Sequence, residues 1–367
     1  MKNPFKVFRG IKSTPTQKIN TYIELVGSSN PRINAMAADS QQTMLEVLSK
    51  HYTKVGITIV DDMAGLERLV AKKPDLVVLG MKLVLLDPSK SYDDSPKMWL
   101  STYLKAHGIN FTGSDTTALA LEFDKHEAKQ AVMDAGLQSS QYFISEIERP
   151  TLKHNLRFPL FVKPTNRGDS KGIDEFSVVH SDAELATKIR SIHTDCSSDA
   201  LIEEYLPGRE FSVAVIKQAH SEELLAMPIE ITSPVDTKGN SFLSEAVKQA
   251  DSEEVVAVTG AELKQKLNAL AIGVFSALGS RDYGRIDMRL DTSGNPHFIE
   301  ANLMPGLSNH GYLSSCFYLN GRITYDAMIL WIVDLALERA AESPAKTAPT
   351  LRGTPRRTTE LTLQAEI

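Results

Sequence analysis

The chain has 367 residues, 42% of them hydrophobic, with a formal net charge of −6 and two cysteines. That length suits two or three domains and a sizeable buried core, and the lack of a long basic stripe argues against nucleic acid as a partner. No apolar run approaches the ~18 residues a bilayer span needs, and Cys196 and Cys316 are too far apart for a CxxC or metal-binding spacing, which suits a reducing, cytoplasmic setting.

In chain order, residues 1–19 carry Lys2, Lys6, Arg9, Lys12 and Lys18 without an acid or the apolar core of a secretory signal, and are expected to form a disordered leader. A strand over 22–27, a helix through Met44, Leu45 and Leu48, a strand over 55–60, a helix near 66–71, a strand over 75–80 and a helix over 98–107 come next. This alternation predicts a parallel sheet in an α/β domain spanning 20–121. Its first turn, Gly27-Ser28-Ser29-Asn30, is not GxGxxG, and no GxxxxGK[ST] occurs in the chain. A nucleotide would have to be held in another way.

The texture changes at Asp124. A helix through Lys129 and Val132 to Gly136, strands over 141–144 and 158–163, a glycine-bearing loop over 165–172, a helix over 182–192 and a strand over 200–205 make a second region, 122–206. A third, 207–341, holds strands at 210–216 and 224–231, a helix near 260–278, a hairpin, and a last helix near 324–339. Residues 342–367 are rich in Pro, Thr, Ala and Arg and are expected to be a loose tail.

The hairpin carries the most information. Along Gly284-Arg285-Ile286-Asp287-Met288-Arg289-Leu290, alternation puts Arg285, Asp287 and Arg289 on one face and Ile286, Met288 and Leu290 on the other. If Ser293-Gly294 is the tip, Asp287 faces Glu300 and Arg285 faces Asn302, with Phe298 on the same charged face and His297 on the opposite one. Facing carboxylates repel unless a proton or cation lies between them, and Mg²⁺ takes one or two carboxylates plus substrate phosphates. An ordinary hairpin with solvated charges is the alternative, and an odd-length loop would shift the register.

Two other stretches suit a nucleotide. The strand 158–163 delivers Lys163 to a loop containing Gly168 and Gly172, whose backbone amides can turn toward oxyanions, although Asp169 opposes anion binding there. In Glu203-Glu204-Tyr205-Leu206-Pro207-Gly208-Arg209-Glu210, a strand edge with apolar and acidic neighbours can take a purine and its ribose; a surface hairpin would look similar.

Taken together, Lys125, Lys163 with its glycine loop, Glu203 to Glu210, and Gly284-Arg285-Ile286-Asp287 to Glu300-Ala301-Asn302-Leu303-Met304-Pro305-Gly306 resemble the ATP-grasp ligases, in particular D-alanine–D-alanine ligases, over about residues 110–310. The resemblance implies an α/β (α+β) ATP-grasp fold of three domains: a Rossmann-like N-terminal domain and two α+β subdomains that clasp ATP. It further implies two Mg²⁺ ions, with Mn²⁺ as a substitute, and small-molecule carboxylate and amine substrates, with a homodimer as a common family state. Position by position, Lys125 and Lys163 would meet the phosphates under the loop that carries Ser170, while Glu203, Glu204, Tyr205 and Leu206 would meet adenine and Glu210 the ribose. Asp287, Glu300 and Asn302 would be metal ligands. Arg285 would steady the phosphoryl group, the amide of Gly306 would contribute to an oxyanion hole, and Lys248 is the candidate for the γ-phosphate, one residue out of the family's Glu-Ala-Lys spacing. Substrate positions depart from the pattern. Met81-Lys82-Leu83-Val84-Leu85 replaces a His-Gly-x-x-Gly-Glu-Asp-Gly segment, and Asn30, Arg32 and Asn34 replace an early Glu. Arg167 and Asp169 replace a Glu and a Ser, and Gly311, next to Tyr312, replaces a Ser. The expected activity is amide formation through an acyl phosphate with release of ADP and phosphate, joining amino acids other than two D-alanines; authentic D-alanine–D-alanine ligase and a non-catalytic ATP-binding protein are the alternatives.

Overall fold

The computed structural model describes residues 17–30, 33–34, 36–87, 89–90, 95–168, 170–236 and 238–342. The expectations for the tail, for most of the leader, and for Arg32 and Asp169 therefore lie outside the described residues.

The chain opens with β1 (Ile19–Gly27), α1 (Ala38–Ser49), β2 (Tyr52–Ile59), α2 (Met63–Ala71) and β3 (Leu76–Leu79). After β4 (Leu83–Leu85), β5 (Lys97–Trp99) and α3 (Leu100–Ala106), β6 (Asn110–Phe111) completes a parallel sheet in the order β2-β1-β3-β6. All four residues of β3 are buried, as expected for a parallel strand covered on both faces. One expectation is corrected here. The helix placed at 98–107 starts only at Leu100, because Lys97–Trp99 pairs with Leu83–Leu85 as a small antiparallel ladder.

Next come α4 (Thr116–Phe123) and α5 (Lys125–Asp134). Asp124 caps α5, its Oδ1 accepting from the amides of His126 at 2.9 Å and Glu127 at 3.4 Å. The cap sets Lys125 at the first helical position, and Lys129 lies one turn later on the same face. Strands β7 (Tyr142–Ser145), β8 (Leu160–Pro164), β9 (Val178–Val179) and β10 (Ala200–Glu204), with α6 (Asp182–Asp195) before the last of them, form an antiparallel sheet ordered β7-β10-β8-β9. The remaining sheet, β13-β12-β11-β14-β15, is antiparallel and comprises β11 (Glu210–Lys217), β12 (Leu224–Thr232), β13 (Glu254–Ala257), β14 (Tyr283–Leu290) and β15 (Pro296–Asn302). The helices α7 (Glu245–Ala250), α8 (Ala261–Ala277), α9 (Tyr312–Gly321) and α10 (Tyr325–Glu342) accompany it.

Two large apolar clusters each combine residues of the parallel sheet with residues of the five-stranded sheet. A third, built on Leu160, Val162, Leu185, Ile189 and Ile202, stays within the β7-β10-β8-β9 unit. The candidate site lies where that unit faces the five-stranded sheet.

Candidate active site

The β14–β15 hairpin turns through Asp291 to Asn295, with Gly294 at φ +79°, a conformation that glycine adopts without strain. Asp287 pairs with Glu300 and Arg285 with Asn302, as the alternation predicts. A bulge then shifts the register toward the tip: Met288 pairs with Phe298 and Arg289 with His297, leaving Ile299 as the extra residue. Phe298 therefore turns into the core, fully buried, and does not stand on the charged face. The same one-residue shift brings His297 level with Arg289, and its Nε2 lies 3.3 Å from Asp291. The expected faces of Phe298 and His297 are both overturned by this bulge.

The charged face is neutralised by cations. Arg285 contacts Asp287 through two nitrogens, at 3.0 and 2.8 Å, and the Ser212 hydroxyl donates to the same carboxylate at 2.5 Å. Glu300 lies 3.8 Å from Lys125, whose Nζ also donates to the Arg167 carbonyl at 2.5 Å. Burial would raise the Glu300 carboxyl, but Lys125, Lys163, Lys248 and Arg285 outweigh it and hold it below the usual range. Burial lowers Lys125, with Glu300 opposing. Asn302 Oδ1 is buried with no donor to it among the described residues. Two carboxylates and a donor-less amide oxygen are the hard oxygen set that Mg²⁺ takes together with phosphate oxygens, so these residues fit such an ion.

Behind this face is a buried ion triad. Glu203 accepts from Lys163 at 2.6 Å and Lys129 at 2.8 Å, and the Ser140 hydroxyl adds a third contact at 2.8 Å. Burial alone would push the Glu203 carboxyl up, yet the two ammonium groups bring it down to about 2. Lys129, fully buried, is lowered by that burial and also reaches the Ser139 hydroxyl at 2.8 Å. Ser139 in turn donates to the Phe298 carbonyl at 3.3 Å, while the Phe298 amide donates to Gln138. The Glu203 carboxylate thus orients Lys163. Lys129 went unassigned from sequence, although a lysine four residues after Lys125 on a capped helix was the available signal.

A cavity sits between these groups. Lys125, Lys163, Ser170, Glu203, Glu204, Tyr205, Leu206 and Glu210 all line it, as do Lys248, Arg285, Asp287 and Glu300. Its apolar wall includes residues not assigned from sequence, namely Phe161, Ile231, Phe242 and Ile299. Phe161 stacks near Tyr205, centroids 6.3 Å apart, and meets Phe242 edge-on at 5.5 Å. Such a slot suits a flat heteroaromatic ring. Arg289, also unassigned, holds Glu210 at 3.2 Å and the Tyr205 hydroxyl at 3.3 Å, and it bonds the Ser241 carbonyl. Burial raises the Glu210 carboxyl, with Arg289 opposing.

Two loops meet over the cavity. Ser170 donates to the Leu243 carbonyl at 2.8 Å, and the Glu245 amide to the Ile173 carbonyl at 3.2 Å. Gly172 turns the first loop at φ +76°, where a Cβ would strike Pro164 at 2.8 Å and the Cys196 sulfur at 2.9 Å. Asn302, Gly306, Gly311 and Tyr312 are not among the residues lining the cavity. Tyr312 is nonetheless close to it, since the Arg285 guanidinium lies 5.3 Å from its ring centre. Gly311 caps α9, and Gly306 is exposed with its carbonyl 3.7 Å from where a Gly311 Cβ would be.

Comparison with known proteins identifies the family. A family model described as D-ala D-ala ligase C-terminus matches residues 134–334. The uncharacterized protein y4sG of Sinorhizobium fredii is 33% identical over 240 residues, covering 64% of this chain and 69% of that protein. The D-alanine–D-alanine ligase of Alcanivorax borkumensis is 26% identical over 317 residues, covering 80% of this chain and 97% of the relative. In fold, the ATP-complexed D-alanine–D-alanine ligase of Bacillus anthracis superposes with a TM-score of 0.63 at 21% identity, covering 88% of this chain and 99% of its own. With more than half of its length matched by the family model, and with a parallel sheet followed by two antiparallel sheets that line a polar and aromatic cavity, the chain belongs to the D-alanine–D-alanine ligase family of ATP-grasp ligases.

Proposed function

We propose that the chain is an ADP-forming carboxylate–amine ligase that makes an amide bond through an acyl phosphate. The observation that carries this reading is the facing pair Asp287 and Glu300, set among Lys125, Lys163 and Arg285, with Asn302 Oδ1 lacking a donor. A carboxylate is a poor electrophile, and phosphoryl transfer from ATP gives it a leaving group. The transfer demands positioning and charge neutralisation more than a nucleophilic side chain. The aromatic slot would seat adenine, with Glu210 near the ribose. Lys125, Lys163 and Lys248 would bind the phosphates, and Arg285 would hold the moving phosphoryl group. Asp287, Glu300 and Asn302 would hold Mg²⁺, as two ions and with Mn²⁺ as a substitute, to neutralise charge on the phosphates. The amine then attacks the acyl carbon and phosphate departs, with the Gly306 amide facing the oxyanion.

The substrates we propose are amino acids, or a small carboxylate and amine, other than two D-alanines. Support comes from the replaced positions, Asn30 and Asn34, Met81 to Leu85 and Gly311-Tyr312, two of which the structure joins through an Asn34–Met81 bridge. The second reading, D-alanine–D-alanine ligase itself, is favoured by the Alcanivorax borkumensis relative. ADP and phosphate release across a matrix of carboxylates and amines, with mass spectrometry of products, separates the two. Turnover with D-alanine alone would select the second, and AMP with pyrophosphate would reject both. Glu300→Gln should abolish release, and full activity in that variant would sink the metal assignment.

A further inference from the structure

We infer that Glu253 is a specificity-determining residue for the amine substrate, and that it selects an acceptor carrying a second cationic group. The inference rests on the ligase reading above and deepens it.

Tyr312 opens α9 and its ring lies 5.3 Å from the Arg285 guanidinium. Its hydroxyl donates to Glu253 Oε1. Glu253 thus stands one tyrosine length from the arginine placed at the phosphoryl group. Its other oxygen, Oε2, is shielded from solvent with no donor among the described residues. Arg285 does not serve it, being engaged with Asp287 at two points. A carboxylate oxygen taken from water without a donor is costly, and a partner with N–H groups and positive charge removes that cost. A carboxylate brought to the same place would be repelled. An acceptor whose nucleophilic amine reaches the acyl carbon near Arg285 would therefore extend a second ammonium or guanidinium along Tyr312 to Glu253. Linear diamines and basic amino-acid derivatives have this shape and charge.

The test uses the full-length protein with ADP and Mg²⁺, titrated calorimetrically with linear diamines of several lengths, each against the monoamine of the same length. Glu253→Gln keeps size and an acceptor for Tyr312 while removing the charge, and Glu254→Gln controls for a neighbouring exposed acid. The diamine of matching length should bind about 10- to 100-fold more tightly than its monoamine, the span expected of one charge-assisted hydrogen bond. Glu253→Gln should erase that ratio and Glu254→Gln should keep it. Equal binding of both amines at every length, or a ratio unchanged in Glu253→Gln, overturns the inference. A ligase assay runs in parallel. Glu253-dependent diamine binding without ADP release for any carboxylate supports the amine site while rejecting the ligase reading.

Discussion

Arg285 and Asp287 lie two residues apart on one strand, and the guanidinium meets the carboxylate at 3.0 and 2.8 Å. This fork fixes the arginine over the cavity, beside the facing pair Asp287 and Glu300. Arg285→Lys preserves charge but cannot form both contacts. Turnover should fall ~100-fold, with a change in unfolding free energy of only about 1 kcal/mol, since Ser212 still bonds Asp287. Steady-state kinetics beside urea unfolding would check this pairing of effects.

Asn302 supplies an oxygen that no group among the described residues satisfies. Asn302→Leu should leave the fold as stable as before or slightly more so, because a buried unmet acceptor is removed. The Mg²⁺ concentration giving half-maximal ADP release should rise by ~10-fold or more. A magnesium titration at saturating ATP measures it, and an unchanged midpoint would remove Asn302 from the metal set.

Lys129 touches no cavity surface but shares Glu203 with Lys163. Lys129→Met should cost about 2–3 kcal/mol of stability, the worth of hydrogen bonds to a charged group. It should also weaken nucleotide binding, because Glu203 is then left to Lys163 alone and draws it away from the phosphates. Urea unfolding and a fluorescent nucleotide titration read the two effects separately.

Glu203 sets a pH dependence. Its folded carboxyl lies at about 2, below the ~4.3 of an unfolded glutamate. A group depressed on folding contributes stability that is complete above the unfolded value and is lost as pH falls toward the folded one. The stability gap between the native chain and Glu203→Gln should therefore be widest above about pH 4.5 and shrink down to about pH 2. Urea midpoints at several pH values in that window would show it, and a constant gap would contradict the assignment.

Much of this was legible in the residues, for identifiable reasons. Period-two alternation and a Ser-Gly tip point to the Asp287–Glu300 and Arg285–Asn302 pairing, and it holds because the real turn, centred on Ser293, is one residue out of that register and the extra residue Ile299 restores it. Beyond Ile299 the reading failed. A bulge adds one residue without any required residue type, so Phe298 and His297 changed faces unannounced. Short elements such as β4, α7 and β13 show too few periods to be seen. Lys129 and Arg289 were hidden for another reason. Each is a cation whose importance depends on an acid distant in sequence, Glu203 and Glu210, and only the packing of one element against another brings the partners together.

The path from Phe298 through Ser139, Lys129 and Glu203 to Lys163 has a mechanical meaning. It ties the strand proposed to hold the metal to the lysine proposed to bind phosphate, through bonds separate from the contacts between the two loops over the cavity. Access and alignment are therefore handled by separate parts. The Ser170–Leu243 bond that joins the two loops shares no residue with that path, so the loops and the frame are held by independent sets of contacts.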